Sequence, residues 1–273
     1  MTKVIQEIDK KIYSEDTCFI PTMGSLHSGH LSLIEHAKQM SHSKTVVSIF
    51  VNRKQFNDSQ DFHNYPIDID KDIRLLEKLD VDYVFIPDES YIYPNKKIQE
   101  INSGPIGMQY DGKFREGHFD GVLTVVNRLF KLVNPSAAVF GKKDAQQLFL
   151  IKEMIKKFKM NIQIYEGKLI REKNGLAMSS RNLLLTDQAK EKASNIYKIL
   201  LNTKNFYQDC KSISQSIIYG KSLYEQLDIE YDYLDVVDVS SFSAPDKNSK
   251  KLLLITAGYI ENIRLIDNLE ILK

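Results

Sequence analysis

Apolar residues in the first 170 positions fall into two alternating kinds of run. Cys18–Thr22, Thr45–Val51, Tyr83–Ile86, Ala137–Phe140 and Ile162–Tyr165 are short and apolar nearly throughout, which predicts strands buried on both faces. Between them, apolar residues recur at helical spacing over Leu31–Met40, Asp70–Leu79, Phe119–Leu132 and Asp144–Phe158, the third stopped by Asn134-Pro135. Strands alternating with helices imply a parallel sheet covered on both sides. The pattern changes near Ile170. An amphipathic helix over Asp187–Leu201, started by Thr186, and a second over Ser212–Gln226 precede strands at Tyr231–Val239, Lys251–Tyr259 and Asn262–Ile266. The expected organisation is an α/β domain over residues 1–170 and a smaller C-terminal α+β lid domain over residues 171–273.

Composition narrows the function classes. The 273 residues are 42 % hydrophobic and 27 % charged, which excludes extensive disorder, collagen and a coiled-coil rod. Lys plus Arg number 37 against 36 Asp plus Glu, a net charge of +1 that supplies no global field for nucleic acid or an anionic membrane. A local basic cluster for a small anion remains open. No apolar run approaches the roughly 18 residues of a membrane span, and MTKVIQEIDKK lacks the apolar core of a secretory signal. Cys18 and Cys210 are far apart and lack metal-ligand spacing, so neither a disulfide framework nor a zinc knot is expected, and a cytoplasmic location is the simplest expectation.

The segment after the first strand, PTMGSLHSGHLSL (Pro21–Leu33), carries the most chemistry. In an open parallel sheet, ligands bind beyond the carboxyl ends of strands. Gly24 and Gly29 have P-loop spacing, but His30 stands in place of the Lys and Leu31 in place of the Ser or Thr; the dinucleotide fingerprint is absent too. What remains is His27-Ser28-Gly29-His30. Two imidazoles three residues apart at a helix start share a face, and the helix N-terminus offers free N–H groups. Together they favour a phosphate chain and could stabilise charge developing on an α-phosphate. PTMGSLHSGH resembles the nucleotide-binding signature shared by class I aminoacyl-tRNA synthetases and small nucleotidylyltransferases, and its PTMG opening is similar to the pantothenate synthetase (pantoate–β-alanine ligase) family. The resemblance implies a Rossmann-like parallel sheet, with Met23, Gly24, His27, Gly29 and His30 at an ATP site.

Three later segments support it in order. VSIFVNRKQF delivers Asn52 and Gln55 beyond a strand end, where glutamine suits a substrate carrying both hydroxyl and carboxylate. The family usually has Pro after the asparagine; here Arg53 and Lys54 follow. Tyr65-Pro66 matches the family's Tyr-Pro, but Ile67 replaces the Arg that commonly comes next. In Gly141–Gln147, Lys143 offers a point charge to phosphate, Asp144 can cap the helix or bind ribose or a metal, and Gln147 lies one turn after Lys143. Cations at a helix N-terminus oppose its dipole unless an anion sits there, which weighs against a plain surface helix. Met178-Ser179-Ser180-Arg181 gathers two hydroxyls and a guanidinium, a good phosphate clamp. By resemblance, Gly141, Lys142, Lys143, Asp144, Ile170, Met178, Ser179, Ser180 and Arg181 join the ATP site, with Ile170 against adenine. Gln55 and Gln147, with Asn52 and Tyr65, hold pantoate and β-alanine. His30, His27, Lys143 and Arg181 are the catalytic candidates. Mg²⁺ is expected with ATP, its protein ligands unassigned, and two copies are expected to pair. Gly104–Asp120 reads as a lid or interface element, and its Arg115, His118 and Asp120 as structural or interface residues rather than catalytic ones.

The reaction so implied begins with attack of the ionised pantoate carboxylate on the α-phosphorus, with pyrophosphate leaving; the β-alanine amine then displaces AMP. No general base for the amine is evident. Another nucleotidylyltransferase would use the same histidines but would not need both Gln55 and Gln147. An RNA-binding relative of the synthetases is disfavoured by the neutral charge.

Overall fold

The alternating runs resolve into a six-stranded, wholly parallel sheet. The computed structural model describes residues 1–9, 12, 16–40, 44–94 and 98–272. The strands are β1 (Lys3–Ile5), β2 (Thr17–Thr22), β3 (Lys44–Ile49), β4 (Tyr83–Phe85), β5 (Ala137–Gly141) and β6 (Gln163–Gly167), in the spatial order β1-β4-β3-β2-β5-β6. Successive strand residues face opposite sides. Cys18 and Ile20 pack with Leu33, Ile34 and Leu76 of helices α1 (Ser28–Lys38) and α2 (Ile69–Lys78). Phe19 turns the other way, onto helix α3 (His118–Val133), its ring edge-on to Phe130 at 6.3 Å. Helix α4 (Ala145–Lys157) completes that layer through Leu148, Ile151 and Met154. From β2 the chain moves outward through β3 and β4, then returns to the opposite side of β2 as β5. The carboxyl ends of β2 and β5 thus flank the point where strand order reverses, where an open sheet forms a crevice.

Helices α5 (Asp187–Cys210) and α6 (Ile213–Gln226) cover an antiparallel sheet of β7 (Tyr231–Asp238), β8 (Lys251–Ile260) and β9 (Ile263–Leu272). This second core centres on Ile196, Leu200, Tyr224 and Leu254. Glu261 and Asn262 join β8 to β9 with φ of 48° and 64°, the conformation of a two-residue hairpin turn.

Strand β1 and the far ends of α5 and β9 depart from the sequence expectation. Strand β1 is only three residues long and carries too little pattern to be read. Helix α5 runs nine residues past Leu201 because Ile199, Thr203 and Tyr207 continue its buried stripe at four-residue spacing. Thr203 hides the stripe in the sequence; its hydroxyl donates to the Ile199 carbonyl at 2.8 Å. Strand β9 continues through Asp267, Asn268 and Glu270, polar residues whose partners lie elsewhere in the fold. Among the described residues, no helix is long and apolar enough to cross a membrane.

Helix α3 lies directly on the turn that carries Gln55. A Cβ on Gly121 would come within 2.2 Å of the Lys54 carbonyl oxygen and 2.9 Å of the Gln55 nitrogen. Gly121→Ala is therefore expected to cost about 1–3 kcal/mol of overpacking strain, read as a lowered midpoint in chemical unfolding.

Candidate active site

The site begins with an unmet need of helix α1, whose first N–H groups lack intrahelical partners. His27 is its N-cap, and its Nδ1 accepts from the Gly29 nitrogen at 3.1 Å. His30 Nδ1 accepts in return from the His27 nitrogen at 3.4 Å, completing a reciprocal capping box. A ring nitrogen that accepts an N–H carries no proton, so each neutral imidazole keeps its proton on Nε2. Burial, then the Lys143 charge, lowers His27 to about 4; burial, then His27 and Lys143, lowers His30 to about 3. The rings lie 4.1 Å apart, centre to centre. Both are thus neutral Nε2–H donors near pH 7.

The preceding turn is fixed from α2. The buried Asp72 carboxylate accepts from the Ser25 and Leu26 nitrogens at 2.7 and 2.8 Å. Gly24 enters this turn with φ +78°, a conformation that favours glycine, and a Cβ there would lie 3.0 Å from Asp72. Across the crevice, Asn52 builds the Gln55 turn. Its Nδ2 donates to the Gly121 carbonyl at 3.1 Å and to Gln55 Oε1 at 3.3 Å, while its Oδ1 accepts from Tyr93 at 2.7 Å. Gln55 Nε2 donates to the Met23 sulfur. His118 Nδ1 donates to the Gln55 carbonyl at 2.8 Å, leaving Nε2 to accept from Arg115 Nη1 at 3.0 Å. Burial, then Arg115, holds His118 well below the usual histidine range. Burial, then neighbouring Arg181, lowers Arg115 to about 10, so it remains a cation.

The third wall joins β5, β6 and the segment after them. Asp144 occupies the N-cap position of α4 but makes no side-chain capping bond; its carboxylate lies 3.5 Å from Lys143 Nζ. Ser180 Oγ donates to the Ser25 carbonyl at 3.0 Å, pinning the Met178–Arg181 segment to the histidine turn. Ser179 Oγ accepts from the Arg181 nitrogen, and the Arg181 guanidinium pairs with Asp61 at 2.6 Å.

These walls enclose a cleft of about 230 Å³. It brings together Met23, His27, Gly29, His30, Gln55, Tyr65, Gly141, Lys143, Asp144, Gln147, Ile170, Met178, Ser179, Ser180 and Arg181. Three residues expected from the sequence do not line it. Gly24 shapes the turn behind, Asn52 is 1 % exposed beneath Gln55, and Lys142 turns to Glu270 at 2.8 Å and Glu166 at 3.7 Å. Arg115 and His118, read from the sequence as structural or interface residues, do line the cleft, whereas Asp120 holds the Ser103 nitrogen and hydroxyl. Their position at the entry to the buried α3, Arg115 just before it and His118 its first residue, was the available signal. Nothing in the sequence distinguished Asp72 from the other acids of α2. Among the described residues, no group of three or more His, Cys, Asp or Glu gathers as a metal site.

A family model described as pantoate-beta-alanine ligase matches residues 1–270. The chain belongs to that family. A pantothenate synthetase from Vesicomyosocius okutanii is 43 % identical over 255 residues, covering 93 % of this chain and 89 % of the relative. Another, from Pseudothermotoga lettingae, is 38 % identical over 272 residues, covering 98 % and 95 %. The crystal structure of pantothenate synthetase from Thermus thermophilus superposes with a TM-score of 0.93 at 34 % identity, over 99 % of this chain and all of that one. The pantoate-beta-alanine ligase from Francisella tularensis, solved with beta-gamma ATP and beta-alanine, gives 0.80 at 35 % identity, over 98 % and 97 %. Membership in the pantoate–β-alanine ligase family thus extends through the C-terminal third, whose sequence is the less distinctive part.

The neutral histidines make stability depend on acid. Unfolded imidazoles titrate near 6.5, whereas His27 and His30 resist protonation to about 4 and 3. Protons therefore bind the unfolded chain first, so this contribution is complete above about pH 6.5 and is lost as pH falls through 4. The double variant His27→Gln/His30→Gln should show a flatter decline in unfolding midpoint between pH 7 and pH 4 than the parent chain.

Proposed function

We propose that the cleft condenses pantoate with β-alanine at the expense of ATP, through a pantoyl adenylate, giving pantothenate, AMP and pyrophosphate. The paired Nε2–H donors of His27 and His30, with Lys143 beside them, carry this reading. They receive the α-phosphate oxygens as charge builds during displacement, and being neutral they cost the nearby Lys143 cation no repulsion. Lys143, Ser179 and Arg181 face the departing pyrophosphate. Arg115, which has no carboxylate within ion-pair distance among the described residues, adds a further cation to the cleft. Met23, Gly29, Gly141, Asp144, Ile170 and Met178 form the nucleoside wall, with Ile170 against adenine.

Gln55 and Gln147 hold pantoate, and Tyr65 closes that end beside Phe56 at 5.7 Å. Asn52 acts through Gln55. The pantoate carboxylate attacks the α-phosphorus in line, the bond to the bridging oxygen breaks, and pyrophosphate departs. The β-alanine ammonium gives one proton to solvent water, the free amine attacks the acyl carbon, the C–O bond to AMP breaks, and the nitrogen sheds a second proton to solvent as the amide forms. In the Nε2–H tautomer the two imidazoles are donors, so neither takes the ammonium proton of β-alanine. Mg²⁺ would arrive on the ATP phosphates; the carboxylate of Asp144 is the hard oxygen donor at hand, and the ion would supply charge neutralisation there. A division into two domains near Ile170, each built around one sheet, fits this reading. A cytoplasmic homodimer is the setting in which we place this chemistry.

Mass analysis of a mixture of the chain with ATP, Mg²⁺, pantoate and β-alanine should reveal pantothenate, AMP and pyrophosphate. ATP–pyrophosphate exchange should require pantoate; exchange indifferent to it would reject the reading in favour of another nucleotidylyltransferase. His30→Ala should lower exchange by at least about 100-fold while leaving the folded circular-dichroism spectrum intact.

A further inference from the structure

Strand β9 belongs to the C-terminal sheet, yet its polar residues reach the N-terminal half. Alternation puts Arg264, Asn268 and Glu270 on one face and Leu265, Asp267 and Leu269 on the other. Leu265 and Leu269 pack into the core under α5 and α6. On the opposite face, Arg264 pairs with Asp111 at 2.7 Å, Glu270 with Lys142 at 2.8 Å, and Asn268 donates from Nδ2 to both the Lys142 and Lys143 carbonyls, at 3.0 and 2.8 Å. Asp267, on the core face, binds Arg171 through both oxygens at 2.6 and 2.8 Å, and the Asn268 nitrogen donates to the same carboxylate at 2.7 Å. Asn268 is thus buried, with its backbone tethered and both amide protons committed.

The two carbonyls it holds lie between the end of β5 and the start of α4, a stretch that the sheet holds through the Lys142 nitrogen, bonded to the Gly167 carbonyl at 3.0 Å, while Asn268 holds its carbonyls. Their peptide planes set where the Lys143 side chain leaves the chain. Lys143 is the cation whose charge bears on both His27 and His30. We propose that Asn268 is a positioning residue for Lys143: by clamping the carbonyls on either side of the Lys143 nitrogen and Cα it aims the ammonium at the nucleotide phosphates, and so couples the C-terminal sheet to the phosphate site. This rests on reading the cleft as the ATP site.

The test is a double-mutant cycle on the full chain, read as the dissociation constant for ATP by titration calorimetry. Asn268→Asp keeps the shape but sets an acceptor oxygen against two carbonyls. It should weaken ATP binding about tenfold, within the range of measured couplings between interacting residues. In a Lys143→Ala background the same change should weaken binding less than about twofold, because the group it aims is gone. A merely structural role would give equal losses in both backgrounds, and that result overturns the proposal, as does undiminished binding by Asn268→Asp in the parent chain. Should Asn268→Asp fail to fold, Asn268→Ala, which removes both donors without adding charge, carries the same cycle with the same expectations. Failure of the parent chain itself to bind ATP would instead overturn the reading of the cleft, and the proposal with it.

Discussion

A helix cannot satisfy its own first N–H groups, and at the start of α1 two imidazoles do so for each other's backbone. That constraint fixes more than the helix. It consumes Nδ1 of both rings, places both protons on Nε2, and sets the ring centres 4.1 Å apart with their planes tilted by 32°. The surrounding structure keeps it so. Asp72 holds the turn before His27 from one side, Ser180 grips the same turn from another, and Lys143 discourages any further proton. The sheet places this helix start where its strand order reverses, so the donors open into a crevice rather than onto a flat surface.

Much of this was legible in residue order because local rules dominate in the first half. Strands buried on both faces announce themselves as continuous apolar runs, and β2, β3 and β5 lie within a residue or two of their predicted bounds. The cleft residues His27 and Lys143 were legible for the same reason: each follows a strand end at the start of a helix, a position that a periodic pattern exposes. What stayed hidden was contact between distant segments. Asn52 reads as a substrate ligand, yet Tyr93 and Gly121, separated from it by 41 and 69 positions, claim its side chain. Lys142 and Lys143 are neighbours with the same chemistry, and only the course of β9 shows that one turns to Glu270 while the other enters the cleft.

The departures from the family's usual residues settle in places consistent with tolerance. Arg53 donates to the Phe56 carbonyl at 3.0 Å with its guanidinium over Phe62, and Lys54 pairs with Glu100 at 2.7 Å. Both brace the outside of the turn whose inner side presents Gln55. Ile67 is exposed.

The pairing of Arg181 with Asp61 has a bearing on which anions the protein notices. A guanidinium with a carboxylate tethered beside it is already half answered, and a newcomer must outcompete a partner whose effective concentration is set by the fold. Chloride or a lone carboxylate brings one charge to that contest. On the proposed reading, a polyphosphate would bring several and meet Lys143 and Arg115, which line the same cleft. On the proposed reading of the cleft, the internal acid sets a threshold that a multiply charged chain would pass and a single charge would not.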